Sequence, residues 1–192
     1  MNGNEKAIEY LEAHGRKPKA LFKSDPDAVY AREYTFDLSK IRPVVAKPDF
    51  VDNLVPAEEV RGVKIDEAFL GSCNNGRIED LRVGASILKG RHVAEKVRFL
   101  VVPASQTVYL QALKEGLIDT FMEAGAIVMN PNCSVCWGSC QGVIGENEVL
   151  ISTGTRNFKG RAGHPSSKVY LGSAATVTAS AIKGEIALAS DL

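Results

Sequence analysis

The spacing of hydrophobic positions changes character near residue 63. Beyond it, short apolar runs alternate with stretches of helical spacing. "KIDEAFLGS" reads as a buried strand, and "RIEDLRVGASILKG" as a helix closed by Gly90. "KVRFLVVPAS" is a second strand, after which Ser105 is placed to cap the helix "QTVYLQALKEG". A helix "DTFMEAG", the strands "AIVMN", "EVLIST" and "SKVYLGS", and a small-residue helix "AATVTASAIKG" complete the series. Strand and helix alternating in this way predict an α/β domain over residues 63–192, a parallel sheet with helices on both faces.

Residues 1–62 follow another pattern. The segment "NEKAIEYLEAHG" has helical spacing and ends at Gly15. Tyr34, Phe36 and Leu38 alternate with Thr35 and Asp37, which predicts a strand within Ala28 to Leu38. Pro18, Pro26, Pro43, Pro48 and Pro56 interrupt regular structure, so this part is expected to be an extended N-terminal arm or linker.

Composition narrows the function. Hydrophobic residues make up 45% and charged residues 24%, as in ordinary globular proteins. Lys+Arg and Asp+Glu both number 23, so no net basic field draws nucleic acid or an anionic membrane, and neither is expected as a partner. The N-terminus has no apolar core of a secretory signal, and no apolar run reaches the eighteen or so residues of a membrane span. The expected compartment is the cytoplasm, where thiols stay reduced.

That expectation bears on the four cysteines. Cys73 stands in "FLGSCNNGRIEDL", and Cys133, Cys136 and Cys140 in "NPNCSVCWGSCQG". In a reducing compartment metal binding or catalysis explains them better than disulfides. The spacing leaves metal, inert buried thiols and a redox pair open, although Pro131 and Asn132 give the pair no thioredoxin-like setting. Gly, Ser, Asn and Pro around the thiols imply tight loops whose N–H groups suit cluster sulfides. Helices starting after Asn75 and after Cys136 would add a favourable dipole. Ligands bind at the carboxyl ends of strands in such sheets. Cys73, Cys133, Cys136, Arg156 and Arg161 each follow a predicted strand and fall on one edge. Two arginines there suit the bidentate binding of carboxylates.

The stretches "FLGSCNNGRIEDLRVGASILKGR", "VVPASQTVYLQALKEGLIDTFMEAGAIVMNPNCSVC" and "STGTRNFKGRAGHPSSKVYLGSAATVTASAIKG" together resemble the third domain of the aconitase family. The resemblance runs from about Ile41 to Gly184 and is strongest to the branch of 3-isopropylmalate dehydratase large subunits and homoaconitase-type relatives. It implies a [4Fe-4S] cluster held by Cys73, Cys133 and Cys136, with one iron left for substrate. It further implies that Arg156 and Arg161 hold the carboxylates of a hydroxy di- or tricarboxylic acid during dehydration and rehydration, with Asn75 close by. A hydro-lyase of leucine biosynthesis is the leading expectation, with a homoaconitase- or aconitase-type hydratase, or a non-catalytic metal-stabilised module, as alternatives. The resemblance covers less than half of a family large subunit. The remaining large-subunit domains, and a small swivel-domain subunit carrying the serine base, are therefore expected partners. Asn74 and Thr155 depart from the family's usual Thr and Asn. Cys140 is expected to be a buried or helix-face thiol, since a fourth ligand would close the reactive iron. His164 is expected to be a satisfied loop histidine.

Overall fold

The computed structural model describes residues 4–192; the first three residues of the expected arm lie outside the described residues. The chain divides into two compact units, one ending at Ile41 and one spanning Arg42–Leu192. In the first, helix α1 (Glu5–Ala13) is capped by Asn4, whose side chain accepts the Ala7 N–H, and α1 buries none of its residues. The strand expected within residues 28–38 does not form. Tyr34, Phe36 and Leu38 are all exposed, so alternation exists there without a neighbour to satisfy a ladder.

The second unit is built on a seven-stranded sheet of order β2-β1-β7-β6-β3-β4-β5. Its strands are β1 (Val44–Ala46), β2 (Leu54–Pro56), β3 (Glu67–Gly71), β4 (Arg98–Val102), β5 (Ile127–Val128), β6 (Val149–Ser152) and β7 (Lys168–Leu171). β3 to β7 pair in parallel, as the alternating pattern predicts. β1 and β2 form an antiparallel hairpin that joins β7 through Ala46 and Leu171. Residues 42–62 were expected in the arm and instead extend the sheet. Their strands are three residues each, with prolines at or beyond their ends rather than inside them, and too short to show a period.

The two faces of the sheet are covered differently. Ala68, Leu70, Phe99, Val101 and Ile151 point to one side, where they meet α3 (Ile78–Leu88), α4 (Gln106–Lys114), α5 (Leu117–Glu123) and α6 (Ala174–Lys183) in the main core. Phe69, Leu100, Val102, Leu150 and Val169 point to the other side, as a period of two requires. No helix covers that side among the described residues. Val135, Ile144 and Ala162, all from loops, seal it. The α/β class holds, while the expected helices on the second face are replaced by the loops that carry the cysteines and arginines.

Candidate active site

The chain runs outward from central β3 through β4 to β5, then returns to place β6 and β7 on the other side of β3. The loops leaving β3 and β6 therefore flank the point where the winding reverses, which is where open α/β sheets form binding crevices. Cys73 follows β3, and Arg156 follows β6.

The β3 loop turns at once into a single helical turn, α2 (Ser72–Asn75), with Ser72 at φ 70°. It is fastened to the β6 loop at Thr153, which is buried. The Gly71 N–H donates to the Thr153 hydroxyl oxygen at 2.9 Å, and the Asn75 amide donates to the Thr153 carbonyl. Asn75 thus staples two loops, a task its place after the cysteine did not reveal.

The loop after β5 is folded around Ser134, which is fully buried at φ 46°. Its N–H donates to the Asn132 side chain, and its hydroxyl donates to the Gln141 carbonyl at 2.7 Å. Val135 then plugs the second cluster, and Cys136 packs partly buried beside it. A serine in the left-handed region directly precedes Cys73, and another directly follows Cys133. Such backbone costs on the order of 1–3 kcal/mol per residue and persists where surrounding contacts impose it.

Both cysteine loops reach the arginine loop. The Cys136 sulfur lies 3.8 Å from where a Cβ on Gly154 would sit. Gly138, at φ 75°, rests so closely on that loop that a Cβ would come within 2.1 Å of the Arg161 carbonyl oxygen. Ile144 donates to the Ala162 carbonyl at 3.1 Å, and His164 returns a bond to the Ile144 carbonyl at 3.0 Å. Asn157, buried, donates from its amide to the Lys47 carbonyl at 2.8 Å and so ties the arginine loop to the β1–β2 turn. His164 bonds the Ser166 hydroxyl, as expected of a satisfied loop histidine.

The two arginines are left without carboxylates. Arg156 is exposed and donates only to the neighbouring Thr155 carbonyl, at 2.7 Å. The Arg161 guanidinium carbon lies 5.4 Å from the centre of the Phe158 ring, and its buried Nε has no hydrogen-bond partner. The ion pairs among the described residues all lie elsewhere.

The thiols share one edge but not one cage. All four are free, with Cys73, Cys133 and Cys140 exposed. Among the described residues no three Cys, His, Asp or Glu side chains are grouped closely enough to hold a metal ion. Cys140 is neither buried nor helical; its sulfur sits 3.7 Å from the Asn132 side-chain oxygen. The helix expected after Cys136 is also absent, because Cys136 ends a 3₁₀ turn that began at Ser134. Thr153 and Gly138, which join the loops, carried no distinguishing signal in the sequence.

The sequence that builds this arrangement is similar to those of known proteins. Residues 50–184 match the family described as the aconitase family (aconitate hydratase). The chain is 50% identical over 187 residues to the "3-isopropylmalate dehydratase large subunit" of a Hydrogenobaculum strain, which covers 97% of the chain and 44% of that relative. It is 50% identical over 192 residues to the protein of the same name from Aquifex aeolicus, again with 97% and 44% covered. Against the "Probable methanogen homoaconitase large subunit" of Methanothermobacter thermautotrophicus it is 48% identical over 186 residues, covering 97% of the chain and 44% of the relative. The chain thus spans less than half the length of the curated relatives it matches. No helix among the described residues is long and apolar enough to cross a membrane.

Proposed function

The chain belongs to the aconitase family, and from that premise we propose that it is the cluster-bearing, carboxylate-holding part of a hydro-lyase large subunit acting on 3-isopropylmalate. One observation carries the proposal. The loops of Cys73 and Cys136 meet at Thr153–Gly154, the root of the loop that presents two arginines without carboxylate partners.

The chemistry of the donor set, rather than a preformed cage, supports an iron–sulfur cluster. Cys73, Cys133 and Cys136 are thiols not consumed by disulfides, on tight loops at one sheet edge, and three thiolates leave one iron for substrate. Once bound, such a cluster supplies a Lewis acid for the departing hydroxide. Arg156 and Arg161 grip the substrate carboxylates in bidentate fashion. Their charge stabilises the electron density that builds up when the proton alpha to a carboxylate leaves. That proton goes to a base outside this segment, and water is returned to the neighbouring carbon. The remaining large-subunit domains and a small subunit complete the enzyme, in a cytoplasm that keeps the thiols reduced. The names of the relatives favour 3-isopropylmalate over homoaconitate.

Anaerobic reconstitution of the chain with iron and sulfide tests this reading. The broad visible absorbance of a cluster is expected, and Cys73→Ser, Cys133→Ser or Cys136→Ser should each abolish it. Arg156→Ala should assemble the cluster normally while losing the spectral response to 3-isopropylmalate in the complemented enzyme. A chain that takes up zinc instead, or that assembles the cluster equally well without Cys73, refutes the assignment.

A further inference from the structure

A second feature lies at the opposite end of β3, apart from the arginine loop. Glu67 opens that strand and is fully buried. One of its carboxylate oxygens accepts from Arg98 Nε at 2.9 Å. The other, Oε1, is buried without a hydrogen-bond partner, a state that costs free energy until a donor reaches it. The two terminal nitrogens of Arg98 are turned to Glu148, at 2.9 and 2.7 Å, and leave Oε1 unmet. The three side chains carry one negative charge in excess when Glu67 is ionised.

Glu67 and Arg98 stand at one end of a cavity of about 560 Å3 whose other walls include Leu100, Ile127, Val128 and Met129. Asn130, Gln141 and Gly142 complete the lining. A Cβ on Gly142 would stand 2.1 Å from a Leu100 methyl and 3.5 Å from the unpartnered oxygen, so only a bare glycine fits between the two at this lining position. Walls that are largely hydrocarbon, with one anionic acceptor at an end, specify the complementary ligand. A bare metal ion would need several oxygens, and among the described residues no three Cys, His, Asp or Glu side chains are grouped to hold one. A neutral apolar molecule would leave the carboxylate unsatisfied. We propose that this cavity is a binding site for a primary ammonium group carried on a short aliphatic stem, with the ammonium donating to Glu67 Oε1 and the stem lying against Leu100 and Ile127.

The test is a titration of the full chain at pH 8 with n-butylammonium chloride, followed by amide chemical shifts at Leu100, Gln141 and Gly142. n-Butanol and an equal concentration of sodium chloride serve as controls. Saturable binding at about 1–10 mM is expected for so small a ligand, with n-butanol at least tenfold weaker. Glu67→Gln, which keeps the shape and removes the charge, should weaken n-butylammonium at least tenfold. Ile127→Trp should do the same by filling the cavity; this residue is half exposed on an edge strand, so folding is preserved. Absence of saturable binding, equal affinity for n-butanol, or unchanged affinity in Glu67→Gln would each overturn the proposal. None of these outcomes depends on cluster assembly.

Discussion

Replacing Glu67 by glutamine should remove most of the chain's loss of stability between pH 5.5 and 8. Burial pushes this carboxyl from an ordinary 4.5 up to about 7, against the opposing pull of Arg98 and with a small further push from Glu148. The folded state therefore holds the proton more tightly than the unfolded chain, so stability is highest in acid and falls as pH rises from 4.5 to 7. At 1.36 kcal/mol per factor of ten in proton affinity, the tighter hold on the Glu67 proton sets the folded state back, relative to strong acid, by roughly 1 kcal/mol at pH 5.5 and roughly 3 kcal/mol at pH 8. The difference, ~2 kcal/mol, is the slope attributable to one side chain. Carboxylates whose proton affinity is lowered, such as Glu148, complete their gain above their ordinary value and are lost only in stronger acid, so they do not mask it. Glutamine is neutral in both states and can still accept from Arg98. Urea unfolding followed by circular dichroism at pH 5.5, 6.5, 7.5 and 8, in reductant, measures the slope in both chains. A wild-type stability that is flat or rises over this range, or a variant slope equal to the wild type, refutes the reasoning.

Thr153→Val keeps the shape but leaves the buried Gly71 N–H without its acceptor. A loss of about 1–3 kcal/mol is expected in urea unfolding, together with slower cluster assembly, and Thr153→Ser should recover most of both. Gly138→Ala places a Cβ against the Arg161 carbonyl at a left-handed φ and should cost more than ~1 kcal/mol, with faster hydrogen exchange at Ile144 and His164. Asn157→Ala removes the tie to the Lys47 carbonyl; limited proteolysis should then cut the 155–163 loop sooner. Cys140→Ser should leave cluster absorbance unchanged, since that exposed thiol is not among the proposed ligands.

Much of the α/β unit was legible because its physics is local. β3 and β4 are apolar runs bounded by turn residues, α4 begins at a serine that caps it, and α6 ends at a left-handed glycine. The placement of Cys73, Cys133 and Arg156 at one edge followed from strand direction alone. What escaped the sequence depended on partners distant in the chain. β1 and β2 are three residues long and become strands only because β7 is there to pair with. The alternation at Tyr34, Phe36 and Leu38 has no such neighbour and stays irregular. Thr153 is an ordinary strand-end residue until Gly71 arrives opposite it. Glu67 read as part of an apolar run, and its isolation shows only once Arg98 and Glu148 are in place.

The absence of helices from the second face gives the loops a double duty. Val135, Ile144 and Ala162 are the hydrophobic lid over Phe69, Leu100 and Val102, and burying a side chain the size of Val135 or Ile144 is worth about 1.5–3 kcal/mol. The segments that would grasp a cofactor therefore also waterproof half of the sheet. A substitution that loosened these loops would therefore be felt as wetting of the interior, and a chaperone or protease would meet the chain at this surface first.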